Sequence, residues 1–265
     1  MIKKIKTKKM KKKISVYVLI IIFLSFLVFS VKTTYAEEKI IDPFLLDKWD
    51  DFYKTYEDSF DLGLDYDGDG FSNRLEIRNG YSPFNKEKIN IRESDIDKDG
   101  LSDYWEIVFK TNPFSKDSDG DGFSDFTEID NLYNPLNSSS QSKLNYEIEI
   151  NLEKQELYFL VENNRWKIFS VSTGKASTPT RPGVYRVVNK FEKAWSSAYG
   201  LWMPYWLGLD RGRIGIHELP VWPNGYREGE DRLGIPVSHG CIRLGLDGAK
   251  YVYERTETET KVNIY

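Results

Sequence analysis

The chain has one cysteine and two histidines among its 265 residues. A single cysteine excludes an internal disulfide, so no covalent cross-link holds this fold. The scarcity is also concentrated, because His217, His239 and Cys241 all fall between Ile216 and Leu244. Acid is missing from the first 36 residues, which carry nine lysines, and charge of either sign is missing from Ile14 to Val31. A strongly basic body is missing too: residues 37–265 hold 28 basic and 41 acidic side chains, a net charge of −13. That balance argues against nucleic acid as a partner.

A basic head, an 18-residue apolar run and the small-residue ending Thr34-Tyr35-Ala36 form an export signal, with cleavage expected after Ala36. The run is also long enough to span a bilayer, so an uncleaved anchor through residues 14–31 is the alternative. On either reading the body of the protein lies outside the cytoplasm. An unpaired thiol there calls for a reason, and catalysis supplies one.

Cysteine is a nucleophile as its thiolate, and a neighbouring imidazole is the usual means of taking the proton. His217 and His239 are the imidazoles on hand. In the run Ser238-His239-Gly240-Cys241, a glycine directly before the thiol lets the backbone turn tightly and aim amide N–H groups at a developing oxyanion.

The segment from Ile216 to Leu244 closely resembles the L,D-transpeptidase (YkuD) catalytic domain, whose signature is a histidine, a spacer and Ser/Thr-His-Gly-Cys. The resemblance covers residues 145–265. It implies that Cys241 is the acylated nucleophile and His217 the general base, oriented by a backbone carbonyl near Glu218. It further implies that Ser238 and His239 shape the site and that the amides of Gly240 and Cys241 form the oxyanion hole. Arg243 is expected to meet a substrate carboxylate bidentately. Trp202 and Tyr205, in the aromatic-rich stretch Trp195–Leu209, are expected to line the substrate groove. The spacer between His217 and Ser238 holds 20 residues, with Trp222–Asp231 read as a longer surface loop.

Ahead of this domain stands an internal repeat. Three twelve-residue segments begin at Asp65, Asp95 and Asp117, and a proline follows each start by 18 residues, at Pro83, Pro113 and Pro135. Side-chain oxygens recur at positions 1, 3, 5, 9 and 12: Asp65, Asp67, Asp69, Asn73 and Glu76; Asp95, Asp97, Asp99, Asp103 and Glu106; Asp117, Asp119, Asp121, Asp125 and Glu128. Position 6 is glycine, and position 7, at Phe71, Leu101 and Phe123, offers a carbonyl. This is the template of a calcium loop. The short exit helix after each loop resembles thrombospondin type 3 or dockerin-type repeats, so calcium is expected as a structural ion, with no cofactor needed for catalysis.

The expected architecture is therefore multidomain. A leader or anchor (1–36) and an amphipathic helix (37–60) precede a small α/loop calcium-repeat domain (61–137). A polar linker (138–144) then leads to a mainly β, sandwich-like catalytic domain with a short helix (145–265). Alternating apolar residues predict strands at Asn145–Glu153, Glu156–Val161 and Arg165–Gly174, and helical spacing predicts Asp247–Arg255 with Asp247 as its cap. The implied reaction is 3-3 cross-linking of peptidoglycan stem peptides. The alternatives are an L,D-carboxypeptidase that uses water, or a calcium-dependent wall-binding protein with an inactive catalytic domain.

Overall fold

The computed structural model describes residues 61, 63–139 and 142–265. The expected leader and the helix at 37–60 lie outside them. Among the described residues no helix is long and apolar enough to cross a membrane. The chain divides into two compact units, one running to Ile96 and resuming over Ser102–Pro113, the other formed by Asp97–Leu101 and Phe114–Tyr265.

In the first unit, α1 (Asn73–Arg78) and α2 (Asp103–Phe109) are the exit helices of the first two repeats. Ile77, Ile91 and Ile107 fill its core, and Arg92 lies 3.6 Å over the ring of Tyr104. In the second unit, α3 (Asp125–Asp130) exits the third repeat, and Ser124 caps it by accepting the N–H of Thr127.

The rest of the second unit is a nine-stranded, curled, mainly β sheet with one longer helix. Its strands are β1 (Tyr146–Asn151), β2 (Glu156–Val161), β3 (Asn164–Ser172), β4 (Gly183–Arg186), β5 (Asn189–Ser196), β6 (Leu201–Leu209), β7 (Ile214–Glu218), β8 (Ile242–Leu244) and β9 (Lys261–Ile264). They lie in the order β4-β9-β1-β2-β3-β8-β7-β6-β5. Glu162 and Asn163, both at positive φ, form the tight turn that joins β2 to β3. β2 lies between β1 and β3, next to the middle of this order, and its Leu157, Phe159 and Val161 are fully buried.

Most neighbours are antiparallel, but β7 pairs with β8 in parallel, matching His217 with Arg243. Parallel neighbours cannot be joined by a hairpin and need a crossover of a dozen or more residues. The long spacer between His217 and Ser238 is that crossover.

Directly after β8 comes α4 (Leu246–Arg255), capped by Gly245, so Asp247 belongs to its first turn and is not the cap the sequence suggested. Tyr251 packs edge-on to Phe159 of β2, at 5.6 Å between ring centres, and tilted against Phe169 of β3.

The polar stretch at 138–144 does not separate two compact units; the third repeat packs with the sheet domain. Asp130 at the end of α3 accepts from Tyr251 Oη at 3.0 Å and Trp166 Nε1 at 3.3 Å, and pairs with Arg255 Nη2 at 2.6 Å. Hydrogen bonds to charged groups contribute about 1.5–3 kcal/mol each. The acidity of the repeats does not decide where packing stops.

Gly248 in α4 lies where an added Cβ would stand 2.9 Å from Phe169. In an open helix, Gly→Ala gains about 1 kcal/mol, whereas overpacking costs about 1–3 kcal/mol. Gly248→Ala should therefore lower the thermal midpoint; a rise would show that the helix does not press on β3.

Candidate active site

β7 carries His217 into the domain interior, where it is 2 % exposed. Its Nδ1 lies against the carbonyl oxygen of Glu218. A carbonyl only accepts, so Nδ1 bears the ring proton and Nε2 keeps its lone pair. Burial, reinforced by the charge of Arg243, holds the imidazole pKa down at about 3. Burial also pushes the Cys241 thiol above its ordinary value, against the opposing effects of a hydrogen bond from the Gly215 backbone and the Arg243 charge. The resting site thus holds a neutral thiol and a neutral base, not a preformed ion pair.

His217 and Cys241 line a cavity of about 610 Å³, together with His239, Arg243, Trp206 and Tyr199. Trp206 stacks on the His217 ring at 5.8 Å and is fixed by its Nε1–H to Asn189 Oδ1 at 2.9 Å. Glycine makes room for the indole: a Cβ on Gly215 would lie 2.8 Å from Trp206, and one on Gly208 would lie 2.9 Å from its Nε1. The sequence reading missed this tryptophan.

It selected Trp202 and Tyr205, which the structure places elsewhere. Trp202 packs tilted against Trp195 at 4.8 Å, and Tyr205 packs against Tyr253 at 5.5 Å in a separate depression. The cavity is lined from β6 by Leu201, Met203 and Trp206. Tyr205 has φ +53°, which breaks the strict alternation that would have placed it beside Met203. Nothing in the local sequence announces a left-handed tyrosine.

The Ser238–Cys241 turn is bound from within. Ser238 Oγ donates to the Cys241 carbonyl at 2.6 Å and accepts the Gly240 N–H at 3.0 Å. The Gly240 amide, expected in an oxyanion hole, is thus engaged by Ser238. The glycine's contribution is its φ of +118°, which an L-residue rarely adopts. The turn is tied to the connection between β3 and β4, because Ser238 N donates to Thr173 O at 2.9 Å and Thr180 Oγ1 donates to Gly240 O at 2.9 Å. His239 is exposed and lines the cavity, tilted against Tyr199 at 4.7 Å and 3.2 Å from Lys175 Nζ, which suits a supporting role.

Arg243 already holds a carboxylate, one supplied by this chain. Its Nη1 donates to Glu228 Oε1 at 3.0 Å and Oε2 at 2.8 Å, with both side chains largely buried. Nη1 is thus engaged within the chain, while Arg243 also lines the cavity. The neighbouring Arg227 pairs with Glu218, so consecutive residues of the crossover hold one residue of β7 and one of β8. The loop read as a surface excursion is pinned to β7 and β8 beside His217.

The acidic loops follow the calcium template closely. Ligand atoms of Asp65, Asp67 and Asp69 lie within 4.8 Å of one another, as do those of Asp117, Asp119 and Asp121. The position-1 carboxylates accept from the position-4 and position-6 N–H groups: Gly68 at 2.7 Å and Gly70 at 2.9 Å, Gly120 at 2.7 Å and Gly122 at 2.8 Å. Position 6 has φ of 98° at Gly70 and Gly122 and 103° at Gly100, which explains the glycine. Buried oxygens of Asp67, Glu76, Asp119 and Glu128 have no hydrogen-bond partner, so the residues of the first and third loops fit a hard cation.

The middle loop divides between the two compact units, Asp95, Asp103 and Glu106 in one, Asp97, Asp99 and Leu101 in the other. Position 9 also serves within the loop. Asn73, Asp103 and Asp125 each accept the N–H of their repeat's second residue, Tyr66 at 3.1 Å, Ile96 at 3.1 Å and Ser118 at 2.9 Å. Ser82 and Ser118 hydroxyls donate to the second oxygens of Asp103 and Asp125. These side chains help to close each loop.

Residues 145–264 match the family model of the L,D-transpeptidase catalytic domain, and residues 65–80 and 95–116 match the bacterial TSP3 repeat. Two proteins of Bacillus subtilis (strain 168), both named as candidate L,D-transpeptidases, are similar to this chain. YciB is 30% identical over 124 residues, 44% of this chain and 64% of the relative. YkuD is 26% identical over 99 residues, 37% of this chain and 53% of the relative. The chain thus spans less than two thirds of either relative. Among solved structures, an L,D-transpeptidase from Mycobacterium smegmatis superposes with a TM-score of 0.41 at 17% identity, over 47% of this chain and 60% of that one. One from Stackebrandtia nassauensis gives 0.38 at 26%, over 45% and 55%.

A neutral thiol and imidazole have a kinetic signature. Alkylation of Cys241 by iodoacetamide should be slower at neutral pH than that of a free cysteine peptide, with no inflection between about pH 5 and 8. An inflection in that window, measured by mass spectrometry of quenched samples, would mean an ion pair.

The loop glutamates give a second test. Without metal, burial and then repulsion from neighbouring aspartates raise Glu76 to about 7 and Glu128 to about 8. A carboxyl raised on folding stabilises the metal-free fold below its ordinary pKa, and that contribution is lost as pH rises through the raised value. In chelator, protease resistance of residues 65–128 should fall from about pH 5 to about pH 8. Excess calcium should abolish the fall.

Proposed function

We propose that this chain, whose residues 145–264 carry an L,D-transpeptidase catalytic domain, is an exported cysteine transpeptidase that joins peptidoglycan stem peptides. The observation that carries the reading is the pairing of the single thiol with an imidazole whose tautomer is set by the Glu218 carbonyl, both in one cavity.

In the proposed cycle His217 Nε2 takes the Cys241 proton as sulfur attacks the carbonyl of the third stem residue. The tetrahedral intermediate collapses and expels the terminal D-amino acid, whose amine leaves with the proton held on His217. A thioester remains on Cys241. An amine of a neighbouring stem then attacks it while His217 accepts the amine's proton, and sulfur departs as thiol with that proton, leaving a 3-3 cross-link. Burial disfavours both charged forms, so proton transfer from the thiol to His217 is coupled to sulfur attack and does not precede it.

Export by the N-terminal segment, whether cleaved after Ala36 or kept as an anchor through residues 14–31, brings the enzyme to its polymer. The repeats take up calcium as a structural ion. Asp65, Asp67, Asp69 and Glu76, with the Phe71 carbonyl, hold it in the first loop; Asp117, Asp119, Asp121 and Glu128, with the Phe123 carbonyl, hold it in the third. The ion neutralises carboxylates that otherwise repel one another.

Incubation with purified muropeptides and analysis by mass spectrometry tests the reading. Cross-linked dimers should form, and Cys241→Ala should lose both the dimers and the acyl-enzyme mass shift. His217→Ala should slow acylation by ~10²–10⁴-fold, and His239→Ala by less. Shortened stems without dimers would assign water as the acceptor, and a mass shift surviving in Cys241→Ala would remove the thiol from the mechanism.

A further inference from the structure

We propose that calcium in the third loop stabilises the catalytic domain itself, through a short linkage from that loop to the helix that follows the nucleophile. The inference rests on the calcium reading above.

The linkage begins at Glu128, the position-12 ligand, which is 6 % exposed and has a carboxylate oxygen without a partner. Glu128 lies in α3, two residues before Asp130, so one six-residue helix carries a loop ligand and a docking carboxylate. Asp130 is gripped by Arg255 and Tyr251 of α4 and by Trp166 of β3. Arg255 Nε also donates to the Asp130 backbone carbonyl at 2.5 Å, so helix backbone as well as side chain is held. Trp166 in turn donates to Tyr251 Oη at 3.1 Å, and Phe126, at position 10 of the same repeat, packs 6.1 Å from the Trp166 ring.

On the far side of the contact, α4 begins five residues after Cys241 and packs against the strand that bears His217. If α3 loses its position when the loop is empty, Arg255 loses the carboxylate beside it and Trp166 and Tyr251 lose an acceptor. A ligand that binds only the ordered loop therefore biases both sides of this contact. The third repeat is on this account part of the catalytic body and not a detachable spacer. A chain starting after the polar stretch would lack one wall of the Tyr251–Arg255 site.

Hydrogen exchange of the full chain, with calcium or with chelator, tests this through peptides covering residues 117–128 and 246–255. At calcium ~100-fold above its Kd, a linked unit should gain up to ~100-fold in protection, and the gain should extend into α4. Glu128→Gln should lose the gain in both peptides while residues 65–76 still respond. Asp130→Asn, a mild change that keeps the side-chain shape, should preserve the response of the loop and remove that of α4. Protection of residues 117–128 by calcium with α4 unmoved in the unaltered protein overturns the linkage and leaves the calcium reading intact. No response in any loop overturns both.

Discussion

The parallel pairing of β7 with β8 is the constraint on which the rest of the site depends. It sets His217 beside Arg243 in register and brings Cys241, the residue before β8, to the same end of the sheet. It also requires a crossover, because the end of one parallel strand lies far from the start of the next. The crossover has been put to use. Arg227 and Glu228 are adjacent in it, and with opposite charges they engage Glu218 and Arg243. A connection required by topology thereby becomes one wall of the site.

Burial then sets the chemistry. The same desolvation lowers the basicity of His217 and raises the thiol, so both groups are neutral before substrate arrives. Arg243 adds a charge that favours thiolate and disfavours imidazolium. The glycines at 208 and 215 let Trp206 stack on His217, and Asn189 fixes the indole. This ordering leaves the imidazole one productive orientation, with Nε2 available and Nδ1 tied to backbone.

The acidic repeats show the opposite economy. Their carboxylates are arranged by backbone N–H groups of the loops themselves, and position 9 is used to close each loop. What remains for a cation is a compact set of oxygens with unmet hydrogen-bonding capacity. The third copy differs in its surroundings, since its exit helix ends on a carboxylate that the sheet domain satisfies. Repetition in sequence thus conceals a difference in structural duty between copies.

The sequence by itself determined what depends on residue identity and short-range geometry. The lone thiol next to glycine, the histidine ahead of it, the twelve-residue loops and the β2–β3 hairpin are local patterns, and they reappear where the sequence placed them. Tertiary structure alone decided what depends on contacts between distant segments. Trp206 displaced Trp202 and Tyr205 at the cavity because a left-handed tyrosine broke the strand alternation. Ser238 claimed the Gly240 amide, and Glu228 claimed Arg243, because folding brought donors and acceptors together whose spacing carries no signal. Asp130 joined the third repeat to the catalytic sheet for the same reason: its partners lie 36, 121 and 125 residues away, and hydrogen bonding over such separations is fixed by packing, not by local pattern.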